Sequence, residues 1–217
     1  MKYFAKSFFD FFHELTLNNN REWFGANKKR YECEVREQLL RFIEALGERF
    51  PEISPHLRAE PKSLMRIHRD IRFSKDKRPY KTNAGLHFWL GSAGHDIHAP
   101  GFYLHLSAEA NYAGGGMWHP DPAAIAKIRA HILARPKEWR KVRKSITLEG
   151  EALKRPPQGF DAQHEFIEDL KHKDFVTSVP FTEKQVCGAN FLDIYLAACS
   201  QMAPLMAFLA GAVKVDW

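Results

Sequence analysis

The chain has 217 residues, 45% of them hydrophobic and 27% charged, with a formal net charge of +6. That much apolar material with an ordinary charge load excludes disordered, collagenous and coiled-coil classes and predicts one folded domain spanning 1–217. Three cysteines, Cys33, Cys187 and Cys199, form no Cys-x-x-Cys pair. A disulfide framework and a thiolate metal site are therefore not expected, and reduced thiols and a cytoplasmic location are.

In chain order, Phe4, Phe8, Phe12 and Leu15 recur at helical spacing, with Ser7 as candidate N-cap. Asn18-Asn19-Asn20 can end that helix and cap a second one beginning at Arg21. Tyr31, Val35, Leu39, Phe42, Leu46 and Phe50 mark a long third helix that Pro51 closes. From Lys62 the period falls from about 3.6 to 2, so strands are expected. Taking 64–73 as extended, Met65, Ile67, Ile71 and Phe73 face one side, Arg66, His68, Asp70 and Arg72 the other, and Arg69 points the wrong way, toward the apolar side. Two further runs alternate: Leu86, Phe88 and Leu90 against His87 and Trp89, and Phe102, Leu104 and Leu106 against Tyr103, His105 and Ser107. A fourth strand at 111–118 contains Gly114-Gly115-Gly116, the mark of a bulge or a close approach. Asp121-Pro122 opens a helix with Ile125, Ile128 and Ile132 on its inner face, interrupted at Pro136; 145–161 reads as irregular, 175–179 as a strand, and 190–211 as a terminal helix. The predicted fold class is α+β, a central antiparallel sheet packed with N-terminal and C-terminal helices. Residues 194–213 carry no charge, but Ser200, Gln201 and Pro204 favour a buried helix over a membrane span.

The basic charge concentrates in the middle of the chain. Arg58 to Lys81 holds nine basic residues against Glu60, Asp70 and Asp76, and Lys127 to Lys144 holds eight against Glu138. Guanidinium forks match carboxylate and phosphate geometry, so the row Arg66, His68, Asp70, Arg72 on one strand face predicts an anion clamp on the polar face of the sheet. Arg66, Arg72 and Lys77 would hold the negative groups, and Tyr80, Tyr103 and His105 would add hydrogen bonds. Arg69, pointing inward, requires a carboxylate, for which Glu22 or Asp10 is available. A small anionic molecule is the expected partner. Two alternatives stand beside it: nucleic acid on the 58–81 and 127–144 clusters with Trp89 and Tyr103 as stacking rings, and a hydrolase-like enzyme using Asp70 with His68 or His105 as an acid–base pair. Eleven histidines include no helical His-x-x-x-His pair, so no metal is expected, and nothing in the sequence names a cofactor. Gly114–Gly116 lacks the Gly-Lys-Ser/Thr of a phosphate loop.

The run Arg66-x-x-Arg69-Asp70-x-Arg72-Phe73-x-x-x-Asp76-Lys77-x-x-Tyr80 resembles the signature of domain-of-unknown-function family 2461, found in bacteria and fungi. Asn18–Phe24, Pro100–His105, Gly114–Trp118 and Leu153–Phe160 are similar to its other blocks, so the resemblance spans nearly the whole chain. It implies one domain and singles out Arg69, Asp76, Lys77 and Tyr80, and it brings no activity with it.

Overall fold

The computed structural model describes residues 1–217. Helices α1 (Lys6–Leu17), α2 (Arg21–Ala26), α3 (Lys28–Arg30) and α4 (Glu37–Arg49) come first, with a π-helical segment, Tyr31–Arg36, joining the last two. The strands are β1 (Leu57–Arg58), β2 (Asn83–Leu90), β3 (Gly101–Ser107), β4 (Asn111–Met117) and β5 (Phe175–Phe181). Between β4 and β5 lie α5 (Pro122–Ala134), α6 (Pro136–Ser145) and α7 (Ile167–Leu170), and α8 (Glu183–Val186) and α9 (Phe191–Val213) close the chain. The strands pair antiparallel in the order β1-β2-β3-β4-β5. The fold class is α+β.

Local chemistry fixes the boundaries. The Asn20 Oδ1 accepts the Trp23 N–H at 2.9 Å and starts α2, and the Asp121 Oδ1 accepts the Ala124 N–H at 2.7 Å and starts α5. Helix α1 departs from expectation. Its N-cap is Ala5, which has no capping side chain, and Ser7 sits inside the first turn. The Ala5 N–H is instead accepted by the Gln38 Oε1 of α4 at 2.9 Å, so a long-range contact replaces the local cap.

Antiparallel partners share a face, so the register sorts the sheet. Leu86 pairs with Leu104 and Leu104 with Ala113; Phe88 pairs with Phe102 and Phe102 with Gly115. This face is buried against α1, α4 and α9 in the larger apolar cluster, with Phe4, Phe8, Phe42 and Phe50. A second cluster gathers α5 and α6 around Trp139 with Phe175 and Met117. Helix α9 serves both, through Tyr195, Cys199 and Met202 on one and Leu205, Phe208 and Leu209 on the other. Having apolar neighbours on two sides explains why a 23-residue helix long and apolar enough to cross a membrane carries no charge after Asp193. It sits close to β4: a Cβ on Gly115 would be 3.0 Å from the Met202 sulfur.

The strand expected at 64–73 does not form. Leu64 makes one bridge to Leu86, the Met65 N–H reaches the Gly85 carbonyl at 3.0 Å, and the chain then leaves the sheet edge. It closes on itself through Lys81 N–H to Ile67 O (2.8 Å) and Arg69 N–H to Pro79 O (2.9 Å). Two aspartates divert the backbone. Asp70 accepts the Arg72 N–H at 3.2 Å and Asp76 the Arg78 N–H at 3.0 Å, and such Asx turns compete with a strand ladder. The alternation survives only as exposure: Arg66, His68, Asp70 and Arg72 face water and Ile67 is buried. Phe73, expected on the apolar side, is 95% exposed.

Candidate functional site

The other face of the sheet carries no helix layer. Its rows are Trp89–Gly101–Gly116–Val176, His87–Tyr103–Gly114–Ser178 and Gly85–His105–Tyr112–Pro180. In each, a ring lies next to glycine. A Cβ on Gly85 would stand 2.6 Å from the Tyr103 hydroxyl, and one on Gly101 would stand 2.9 Å from the His87 ring, so these rings lie flat because the neighbours have no side chain. The result is a glycine-floored groove of about 860 Å³, within the volume range of small-molecule sites.

The groove is lined by loop residues Ile97 and Ala99, by Trp118 and His119, and by Glu149-Gly150-Glu151 and Asp174, the last in contact with His119. Glu149 bridges to Val176, and its carboxylate accepts the Ser178 hydroxyl at 2.9 Å. Asp174 is buried and accepts two backbone donors, the His119 N–H at 2.7 Å and the Glu151 N–H at 3.1 Å, and the His119 Nδ1 lies 3.0 Å from the same carboxylate. The first bond holds His119 at φ 48°, a left-handed conformation that a non-glycine residue seldom adopts. Gly150, at φ 94°, is needed opposite, since a Cβ there would lie 2.7 Å from the Asp174 Cβ. His87 is 6% exposed and its Nδ1 has no partner. Burial, with a smaller push from His95, brings its pKa down to about 4, so the imidazole is neutral near pH 7. Burial likewise raises the Tyr103 and Tyr112 hydroxyls above their usual range and lowers His105.

No lysine or arginine lines this groove. The expected clamp is elsewhere: Arg66, Arg72 and Lys77 lie on the 66–79 loop, because residues 66–73 never join the ladder. Arg72 is engaged by Asp70 at 2.7 Å, and Lys77 donates to the Ile71 carbonyl at 2.9 Å. Arg69 pairs with Asp76 at 2.7 Å, which also binds Arg78, and Glu22 forms no ion pair; the nearer carboxylate in the same loop takes the guanidinium. Tyr80 is buried, stacked on Phe24 at 4.1 Å, with its backbone N–H and carbonyl both bound by the Asn19 amide. The proposed acid–base partners are separated. Asp70 is spent on Arg72, His68 packs beside Tyr80 and Phe24, and His105 stacks on Tyr112 at 4.8 Å. Of the expected ligand residues only Tyr103 lines the groove. Trp89 is on the expected face but 2% exposed, covered by His95 at 4.5 Å and by the Lys62 ammonium at 4.8 Å. Sequence reasoning missed Glu149, His119 and Asp174 as a group, because Asp174 meets His119 across 55 residues and nothing local in the sequence marks that meeting.

Fold and site define an α+β protein with a meander sheet, helix-covered on one face and open as an acidic, aromatic groove on the other. The chain belongs to the family described as Conserved hypothetical protein (DUF2461), whose profile matches residues 7–208. No curated protein matches it.

Proposed function

We propose that the protein binds a small polar ligand, neutral or cationic, in the groove on the open face of the sheet. The observation that carries this reading is the lining: its formally charged side chains are Glu149, Glu151 and Asp174, all acidic, around a glycine floor that admits a flat molecule. Tyr103, Tyr112 and Ser178 offer hydroxyls, and the half-exposed Trp118 offers a ring face. This revises the expected anionic ligand, which three carboxylates would repel.

A second reading, acid–base chemistry in the same groove, is favoured by the Asp174–His119 contact. The His119 imidazole lies with Nδ1 3.0 Å from that buried carboxylate and lines the groove, a placement that suits proton exchange with a bound hydroxyl or water.

Amide chemical shifts recorded with two fragment sets, amines and polyols against carboxylates and phosphates, test the main reading. The first set is expected to move Gly101, Gly114 and Gly116, and Gly114→Val, which fills the floor, to abolish that response. Shifts at those amides from the anionic set alone would refute it.

A further inference from the structure

The basic loop is left unexplained by the groove. Between Arg66 and Lys81 the chain carries Arg66, Arg69, Arg72, Lys75, Lys77, Arg78 and Lys81 against Asp70 and Asp76. The two carboxylates are spent on Arg72, Arg69 and Arg78. Arg66, Lys75, Lys77 and Lys81 have no carboxylate partner. Arg66 and Lys81 flank the Lys81 N–H to Ile67 O bond, and burial, with a smaller push from the Arg66 charge, lowers the Lys81 pKa. Two such unneutralised cations are relieved by an anion.

At the tip of this loop Phe73 is 95% exposed, the most exposed large apolar side chain in the protein. It is held between two Asx turns, 70–72 and 76–78, with the Arg72 guanidinium 5.9 Å from its ring. A ring displayed among unpaired cations has the composition of a base-stacking platform. Trp89 and Tyr103 cannot take that part, being covered and turned into the groove respectively. A lipid surface would need several apolar anchors, and the loop's others, Ile67, Ile71 and Tyr80, are buried or partly covered. The 127–144 cluster also has four lysines without a carboxylate partner, Lys127, Lys137, Lys141 and Lys144, beside the paired Arg135, Arg140 and Arg143, but it displays no stacking ring, since its one tryptophan, Trp139, is fully buried.

We propose that the 66–81 loop is a binding site for single-stranded nucleic acid, with Phe73 stacking on an unpaired base and Arg66, Lys75, Lys77 and Lys81 contacting phosphates. This site is separate from the groove ligand and stands or falls without it.

The test is fluorescence anisotropy of a labelled oligothymidylate of about 15 nucleotides with the full chain. Four phosphate contacts give a log–log salt slope near −2.8, or a loss of about 50-fold between about 50 and 200 mM salt. Phe73→Ala removes only an exposed ring, so its urea midpoint should match the parent. Its affinity should fall about 5- to 150-fold with the salt slope unchanged. The double variant Lys75→Ala/Lys77→Ala should reduce the slope by about 1.4. Absence of binding at the lower salt, equal affinity of Phe73→Ala and parent, or equal affinity for a duplex of the same length would each overturn the proposal. Retention on phosphatidylserine vesicles with none on the oligonucleotide would do the same and assign the loop to a membrane surface.

Discussion

Replacing His87 with leucine should flatten the pH dependence of stability in mildly acidic solution. The folded-state pKa of His87 is near 4, against the ordinary 6.5 of the unfolded chain. The unfolded chain therefore binds the extra proton first, and His87's contribution is fully present above about pH 6.5 and lost as pH falls toward about 4. One proton changes stability by about 1.4 kcal/mol per pH unit, so the full loss approaches about 3 kcal/mol, a large share of the ~5–15 kcal/mol typical of a domain. The groups facing the ring are His95, which lowers the pKa, and Asp96, which opposes it; desolvation outweighs both. Urea unfolding of parent and His87→Leu, in steps from about pH 7 to about pH 5, isolates the effect. His105, His131 and His172 are also lowered by burial and act in the same direction, but they are present in both proteins and cancel in the difference. Asp70 and Asp76, lowered by their arginine hydrogen bonds, titrate below this window. The parent should lose about 1–2 kcal/mol more than the variant over that range. At neutral pH the variant should be no less stable, because the unpartnered Nδ1 is gone. Parallel pH profiles for the two proteins would refute the account of His87 as a buried neutral imidazole.

Two further outcomes follow from the same face of the sheet. Gly116→Ala should cost about 1–3 kcal/mol in urea unfolding, since φ is 137° and a Cβ would strike the Phe175 carbonyl, while Gly114→Ala, whose Cβ would meet Tyr103 at 3.6 Å, should stay within about 1 kcal/mol of the parent. Asp174→Ala should lose several kcal/mol by leaving the His119 and Glu151 N–H groups unpaired at about 1–3 kcal/mol each, with Asp174→Asn intermediate because one oxygen still accepts; equal midpoints for Ala and parent would contradict the buried acceptor role.

The parts of the fold that were legible in the sequence are those set by local periodicity. Phe8, Phe12 and Leu15 are buried on α1, and Asn20 and Asp121 cap the helices expected of them. The alternation in β2 and β3 put His87, Trp89, Tyr103 and His105 on one face, where the register has them. Parity tells which face a residue occupies and says nothing of what covers it, so it leaves Trp89 open where His95 in fact lies against it. The same limit undid 64–73. Its polar and apolar residues do alternate in exposure as far as Arg72, but Asp70 and Asp76 capture neighbouring N–H groups, and a side chain bonded two residues away overrides a two-residue period. The site itself was hidden for a different reason: Asp174 and His119 come from the two ends of the α5–α7 excursion, and only the pairing of β4 with β5 brings them together.

That pairing also accounts for the electrostatic layout. The basic excess of residues 51–100 is carried largely by a loop that leaves the sheet at Met65, one of the residues lining the groove. The acidic excess after residue 150 includes Glu151 and Asp174, which β5 and its flanking segments bring into the lining of the groove. Charge segregated along the chain therefore becomes charge segregated in space: a carboxylate-lined groove for a small molecule, and beside its Met65 edge a cationic loop with a bare aromatic tip. A single ligand neutralising both would need positive and phosphate-bearing parts of defined separation. Two different ligands need only the two surfaces as they stand, which is why the groove and the loop are assigned separate partners and separate tests.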